Sequence, residues 1–379
     1  MKVRIRMRGL LLTIVLLLIM CIAVLPIAAT PSVSAKSAVL MDANSGRVLY
    51  QQNGFVRLPM ASTTKIMTAV VALESGNVKR TVTVSPKATG IEGSSIYLYP
   101  EEQLTLEQLL YALMLESAND AATAIAIEVA GSVEAFAELM NQKAAKIGLA
   151  ATHFTNPHGL DHEEHYTTAY DLAKLTAYAL QNPDFRAICG TVRKTIPLKG
   201  DEGTRVLINH NKMLSRYEGA IGVKTGFTKR SGRCLVSAAE RDGLTLIAVT
   251  LSAPNDWTDH TAMLDFGFAN YENKQLAEKE GFSVPLSVVG GTSEILLAAN
   301  QYPVSVMMKK GHGTVTYQIE APQILYAPIA NGTVVGRVIW SCDGKGIASS
   351  PLIATHDIDY KKAERQGFFA WIASLFIRE

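Results

Sequence analysis

The stretch Pro59-Met60-Ala61-Ser62-Thr63-Thr64-Lys65-Ile66-Met67-Thr68-Ala69 decides how this chain is read. It opens a helix and sets a serine hydroxyl and a lysine amine one turn apart, on one face. An alcohol is a weak nucleophile until a neighbouring base takes its proton. Beyond Lys65 the helix is apolar on every side, with Ile66, Met67, Val70, Val71 and Leu73 before a stop at Gly76. Such a helix belongs in a core. Lys65 is therefore expected in a partly desolvated place, where the ammonium is disfavoured and the amine becomes a usable base near neutral pH. Alone, the pair reads equally well as a helix-capping serine beside a solvated lysine.

The 379 residues give room for two ordinary domains once a leader is set aside. Lysine and arginine number 36 against 34 aspartate and glutamate, a net charge of +2, and no long basic run crosses the body of the chain. That balance argues against nucleic acid as a partner. With 48% hydrophobic and 18% charged residues, the composition is that of a well-packed globular protein. Four cysteines, Cys21, Cys189, Cys234 and Cys342, show no metal-like C-x-x-C spacing.

Upstream of the opening stretch, apolar residues alternate on both sides of the turn Asp42-Ala43-Asn44-Ser45-Gly46, a hairpin. Residues 1–35 read as a secretory signal peptide. Lys2, Arg4, Arg6 and Arg8 form a basic lead, 10–25 are nearly all aliphatic, Pro26 breaks the helix, and Val33-Ser34-Ala35 is a small-residue cleavage site. An uncleaved anchor is the alternative, because the apolar run is long. Cys21 follows Met20 rather than a small residue, which disfavours lipid attachment. Three cysteines remain, enough for one bridge at most, in a protein exported from the cytoplasm.

Downstream, residues 81–85 read as a strand. Helical patterns cover 104–116, 121–130, 133–147 with a stop at Gly148, and 169–180. Residues 219–227, 234–239 and 244–251 read as strands. Strands at both ends with helices between them imply an α/β (α+β) sandwich over 36–275, whose antiparallel sheet joins the first hairpin to the later strands. From 280 to 358 short alternating runs predict a small all-β domain without a catalytic constellation, a spacer or a binding module. In 361–379, Phe368, Trp371, Ile372, Leu375 and Phe376 share one helical face behind Lys361, Lys362 and Arg365. This amphipathic helix is too short to span a bilayer and suits an anionic membrane surface; docking on the β domain is the alternative.

Two further motifs join the opening one. Ser117-Ala118-Asn119 falls between two helices, where a hydroxyl and an amide can point into a cleft, although a cap or turn is its commoner meaning. Lys224-Thr225-Gly226 ends a strand; the amine and hydroxyl can receive a carboxylate, and Gly226 lets another backbone approach. S-x-x-K, then S-D-N, then K-T-G is the signature of serine β-lactamases and penicillin-binding proteins. All three occur here in that order, with Ala118 in place of the aspartate.

From about Lys36 onward the chain resembles the low-molecular-weight penicillin-binding proteins that act as serine-type D-alanyl-D-alanine carboxypeptidases (peptidase S11). Gly93-Ser94-Ser95, Glu116 to Asp120, Thr155-Asn156-Pro157-His158-Gly159-Leu160 and Gly222 to Thr228 carry the likeness beyond the three motifs. The resemblance implies a three-layer sandwich of the β-lactamase and transpeptidase type, followed by a β domain and a terminal amphipathic helix. It implies removal of the terminal D-alanine from peptidoglycan stem pentapeptides, acylation by β-lactams, and no cofactor. Ser62 would be the nucleophile, Lys65 its base, and Ser117 a proton relay tuned by Lys224. Asn119 would bond the substrate backbone, and Lys224 and Thr225 its carboxylate. The N–H groups of Ser62 and Phe227 would form the oxyanion hole.

One departure stands out. Many relatives carry a carboxylate-binding arginine downstream of K-T-G, where this chain reads Asn255-Asp256-Trp257-Thr258-Asp259-His260. His260 or Arg233 is the candidate substitute. The histidines from His153 to His165 lack the i,i+4 spacing of a zincin helix, so no metal is expected. A β-lactamase is disfavoured because no glutamate lies in a recognisable loop after the second motif. A DD-endopeptidase shares these motifs, and a non-catalytic wall-binding protein would not need Ser62, Lys65 and Lys224 together.

Overall fold

Asp42 starts the fold. Its carboxylate accepts from the N–H groups of Asn44 and Ser45, at 3.4 and 3.1 Å, and closes β1 (Ser37–Asp42) on β2 (Val48–Gln52). The structure, a computed structural model, describes residues 30–199 and 203–362. Among these, β3 (Ala220–Thr228), β4 (Gly232–Arg241) and β5 (Leu244–Leu251) complete a five-stranded sheet in the order β2-β1-β5-β4-β3. The pairs β1–β2, β1–β5 and β3–β4 are antiparallel.

Strand alternation makes this the middle layer of three. Val39, Met41, Val249, Leu251, Cys234 and Val236 point into the core shared with the first helices. Their neighbours Leu40, Leu246, Ala248 and Leu235 are equally buried, and Leu40 and Leu246 lie against Gly267 of a late helix.

The opening stretch forms a 3-10 turn over Ala61–Thr64 that runs into α1 (Lys65–Glu74). Every residue from Lys65 to Leu73 is buried, as its all-round apolar pattern requires. Ser62 sits inside the 3-10 turn and caps nothing. A Thr105–Gln108 capping box starts α2 (Leu106–Leu115), and α3 (Asn119–Ala130) follows after a sharp loop. Ser132 caps α4 (Val133–Ile147), which ends on left-handed Gly148; Thr168 caps α5 (Ala169–Ala179).

Besides the short helical turns Pro86–Ala88 and Met213–Arg216, sequence reading missed three elements of this unit. One is α6 (Pro183–Gly190), eight residues capped by Asn182, too short for a clear period. Another is the hairpin Arg193–Pro197 with Thr204–Ile208. The third is α7 (Asp256–Asn270), which packs through Met263, Leu264 and Gly267 and has little aliphatic periodicity. The expected strand at 81–85 is shorter, Thr81–Thr83, and pairs with Gln103–Thr105.

The chain divides at Asn270/Tyr271 into two units, with 242–244 grouped with the second. The second is all β. Strands Ser283–Val289, Ile295–Asn300, Val304–Lys309, Val315–Glu320, Val334–Cys342 and Lys345–Ala354 fall where short alternating runs are expected, between 280 and 358. Tyr271–Ala277, which pairs with Val304–Lys309, and Leu325–Tyr326 were not expected. Leu296, Val338, Trp340 and Leu352 centre its core.

The expected amphipathic helix lies outside the described residues apart from Lys361 and Lys362, and the expected leader does so up to residue 29. Ser34 is tied to the first unit, its N–H and hydroxyl donating to Asp259 at 3.0 and 2.8 Å. Among the described residues no helix is long and apolar enough to cross a membrane.

Candidate active site

The three motifs meet at one cleft of about 660 Å³. Ser62, Ser117, Thr225, Gly226 and Phe227 line it, with Ser94, His210, Lys212, Arg233, Asp256 and Trp257. One wall is β3, the edge strand of the sheet, so its outer N–H and C=O groups are open to an extended peptide. Gly226 lets that edge reach the Ser62 turn: a Cβ there would stand 3.0 Å from Ser62 N and 3.1 Å from Thr63 N. The turn is itself strained. Ala61 has φ +48°, a left-handed backbone that costs a non-glycine residue about 1–2 kcal/mol.

Lys65 is fully buried, and its amine has three neighbours: Ser62 Oγ at 3.0 Å, Asn119 Oδ1 at 2.7 Å and the His158 carbonyl at 2.6 Å. Two of these are carbonyl oxygens, which only accept. When Lys65 is neutral, its two hydrogens are therefore held by Asn119 and His158, and the lone pair faces the Ser62 hydroxyl. Burial first, then the Lys224 charge, pulls this amine well below its ordinary range, with Asp120 opposing. The geometry is that of a base aimed at its nucleophile.

Asn119 belongs to the scaffold of that base. Its Oδ1 accepts a hydrogen bond from Lys65 Nζ, and its Nδ2 donates to the Glu92 carbonyl at 2.6 Å, which fixes the amide's orientation. The second Nδ2 hydrogen makes no hydrogen bond to the described residues. Asp120 anchors the adjoining loop by accepting from Ser95 Oγ at 2.6 Å and Leu98 N at 3.0 Å. Ser117 has φ +60° in the loop between α2 and α3 and reaches the cleft at 7% exposure.

Lys224 is sealed at 1% exposure, its amine donating to the Thr225 carbonyl at 3.0 Å. Burial lowers its pKa to about 7, with the Glu116 carboxylate pulling the other way. Thr225 and the largely exposed Phe227 face the cleft.

A model of the family described as D-alanyl-D-alanine carboxypeptidase, peptidase S11, matches residues 26–255. The chain belongs to this family. The second unit matches the model described as penicillin-binding protein 5, C-terminal domain, over 271–360. The chain is similar to D-alanyl-D-alanine carboxypeptidase DacF of Bacillus subtilis, 35% identical over 89% of this chain and 88% of that protein. It is 34% identical to D-alanyl-D-alanine carboxypeptidase DacC of Escherichia coli, over 89% and 86% of the two chains. Among solved structures it resembles penicillin binding protein 5 from Haemophilus influenzae, with TM-score 0.70 and 30% identity over 87% of this chain and 98% of that one.

Within this peptidase S11 site, the two candidates for the absent arginine separate cleanly. His260 lies on α7 with no exposure, its Nε2 bonded to Thr250 Oγ1 at 3.0 Å, and burial lowers its pKa to about 3. It does not face the cleft. Arg233 does: it pairs across the sheet with Phe227, and Asp256 holds its guanidinium at 3.0 and 2.9 Å through the two carboxylate oxygens. Trp257 stacks 5.7 Å from it. Lys212 adds positive charge to the same cleft, which His210, hydrogen-bonded to Glu116 at 3.0 Å, also lines. Sequence reading missed both, since a polar stretch without periodicity gives no sign of where it lands.

The histidines of the 153–165 stretch make protein contacts instead of gathering on one point, and no group of three metal-ligating side chains forms among the described residues. Cys189, Cys234 and Cys342 are free.

Proposed function

We propose that this protein is a serine-type D-alanyl-D-alanine carboxypeptidase that removes the terminal D-alanine from peptidoglycan stem pentapeptides. The observation that carries the reading is the buried Lys65 amine, whose carbonyl partners leave its lone pair no direction but Ser62 Oγ. Ser62 attacks the carbonyl between the two D-alanines as Lys65 takes its proton. The N–H groups of Ser62 and Phe227 hold the oxyanion; losing one such donor typically lowers the rate about 10²–10³-fold. Ser117 passes a proton to the leaving amine and regains one from the Lys65 ammonium, which leaves Lys65 neutral again. Lys65 then draws a proton from the water that hydrolyses the acyl-enzyme.

The substrate lies along β3. Its chain carbonyl takes the free Nδ2 hydrogen of Asn119, and its terminal carboxylate meets Lys224, Thr225 and Arg233, the last standing in for the family's arginine. A β-lactam acylates the same serine and blocks it. Residues 1–35 direct export, and the helix read at 361–379 holds the enzyme to the outer face of the cytoplasmic membrane.

Three measurements test this. Incubation with benzylpenicillin followed by peptide mass spectrometry should find one acyl adduct, on Ser62, that turns over slowly. The Ser62→Ala variant should release no D-alanine from a D-Ala-D-Ala peptide; unchanged release would sink the assignment, and rapid penicillin turnover would favour a β-lactamase. A chain truncated before Phe368 should no longer pellet with anionic vesicles.

A further inference from the structure

The nucleophile turn is held from behind by a hydrogen-bond chain outside the machinery described above. The Thr155 N–H donates to His165 Nδ1 at 3.0 Å. That nitrogen is therefore the acceptor, and the imidazole proton sits on Nε2. Nε2 donates to Thr64 Oγ1 at 2.7 Å, and the Thr64 hydroxyl donates in turn to the Ala61 carbonyl at 2.8 Å. Each link sets the direction of the next. His165 is 4% exposed, Thr64 is sealed, and the ring of Phe154 meets the imidazole edge-on at 5.9 Å.

The chain ends on the residue that most needs support. Ala61, with its left-handed backbone, immediately precedes Ser62. Gly159 closes over the same carbonyl so tightly that no side chain fits there, and Gly226 lies against the Ser62 and Thr63 nitrogens. Strain of this kind persists only where the surroundings hold it. His165 is the far anchor of that hold, and both ring nitrogens are engaged in it. Burial and the nearby His153, His162 and Lys65 keep the ring neutral, its pKa near 3, so it moves no proton in the reaction.

We propose that His165 is a positioning residue which, through Thr64, clamps the strained Ala61 carbonyl and so fixes the Ser62 hydroxyl and N–H for acyl transfer. The proposal rests on the reading of Ser62 as the nucleophile. It explains why the 153–167 loop folds onto the turn from a hundred residues away in sequence: the same loop supplies the His158 carbonyl to Lys65.

The full chain is compared with its His165→Gln, His165→Leu and Thr64→Val variants and the His165→Leu/Thr64→Val double variant. The readouts are the benzylpenicillin acylation rate, kcat and KM for D-alanine release, and the thermal midpoint. Glutamine accepts through Oε1 and donates through Nε2, so His165→Gln should acylate within about threefold of wild type. His165→Leu and Thr64→Val should each lower acylation and kcat about 10–100-fold with KM within about twofold, the pattern of a lost transition-state alignment. Because both cut one chain, the double variant should be no slower than the worse single. The proposal is overturned if His165→Leu acylates within threefold of wild type, if His165→Gln falls as far as His165→Leu, or if the two losses multiply. Should His165→Leu fail to fold, Thr64→Val decides by the same margins; if that also unfolds, the chain only holds the fold together and the proposal is wrong. A wild-type protein without a Ser62 adduct breaks the functional reading instead, which is a separate failure.

Discussion

The unit that ends at Asn270 buries two amines, Lys65 and Lys224, the carboxylates of Asp42, Glu102, Asp120, Asp171, Asp256 and Asp259, and the imidazoles of His165 and His260, whereas among the described residues from Tyr271 onward the buried polar side chains are Asn300 and Ser350. Both units have an apolar core, and apolar burial is enough to hold either fold. A buried ammonium opposes folding unless partners compensate. Where one persists next to a cleft, its use is chemical. The contrast separates a unit arranged for reaction from one arranged for packing.

The sharpest way to break that contrast is to replace Lys65. In Lys65→Met, acylation by benzylpenicillin should fall by about 10²–10⁴-fold, the usual share of a positioned base. Stability should fall by about 1–3 kcal/mol, because methionine leaves Asn119 Oδ1 and the His158 carbonyl buried without their donor. Normal acylation in this variant would remove Lys65 from the chemistry. The counterpart in the second unit is Trp340, 4% exposed with Phe282 edge-on at 5.5 Å. Trp340→Ala should lower unfolding stability by about 3–5 kcal/mol in a denaturant titration. Acylation per folded molecule should stay unchanged; a parallel loss of acylation would show that the units are not separable in function.

Arg233 tests the cleft itself. A hydrogen bond to a charged group contributes about 1.5–3 kcal/mol, so Arg233→Ala should raise KM for a D-Ala-D-Ala peptide roughly 10–100-fold with kcat nearly constant. A peptide ending in an amide should lose the difference between the two proteins. If KM stays put, His210 and Lys212 hold the carboxylate.

Much of this was legible in the sequence because it is local. S-x-x-K and K-T-G each place their groups on a single element, and Ser132 with Gly148 marks both ends of α4. What escaped notice is what distance in sequence conceals. Lys65 finds Asn119 54 residues away and a backbone carbonyl 93 residues away, and a carbonyl carries no residue-type signal at all. His165 and Thr64 stand 101 residues apart. The choice between His260 and Arg233 needed helix phase and strand register. α7 turns His260 inward, while the pairing of Phe227 with Arg233 brings the guanidinium to the cleft mouth.

Lys224 sharpens the comparison through pH. Its pKa is about 7 in the fold against an ordinary 10.5, so between those values the unfolded chain binds more protons than the native one. Stability should therefore rise with pH across that window, by at most about 1.4 kcal/mol per unit from this group, and be lost as pH falls back toward 7. Urea midpoints of wild type and Lys224→Met at pH 7, 8.5 and 10 should show the slope reduced in the variant. An unchanged slope would mean that Lys224 keeps its proton in the fold.

The smallest effect belongs to the surface of the second unit. Arg337 meets Glu320 across neighbouring strands, Nε to Oε2 at 2.6 Å, with the two side chains 61% and 42% exposed. Water and salt screen such a pair, and holding two long side chains still offsets most of the attraction. Glu320→Gln should thus shift stability by less than about 1 kcal/mol, with the difference vanishing in 1 M salt. Setting this beside Lys224 separates charge from burial: one ion pair at the surface should matter less than one amine sealed in the interior. A loss of several kcal/mol in Glu320→Gln would mean that the second unit depends on electrostatics after all, and the division between a reactive and a packed unit would have to be redrawn.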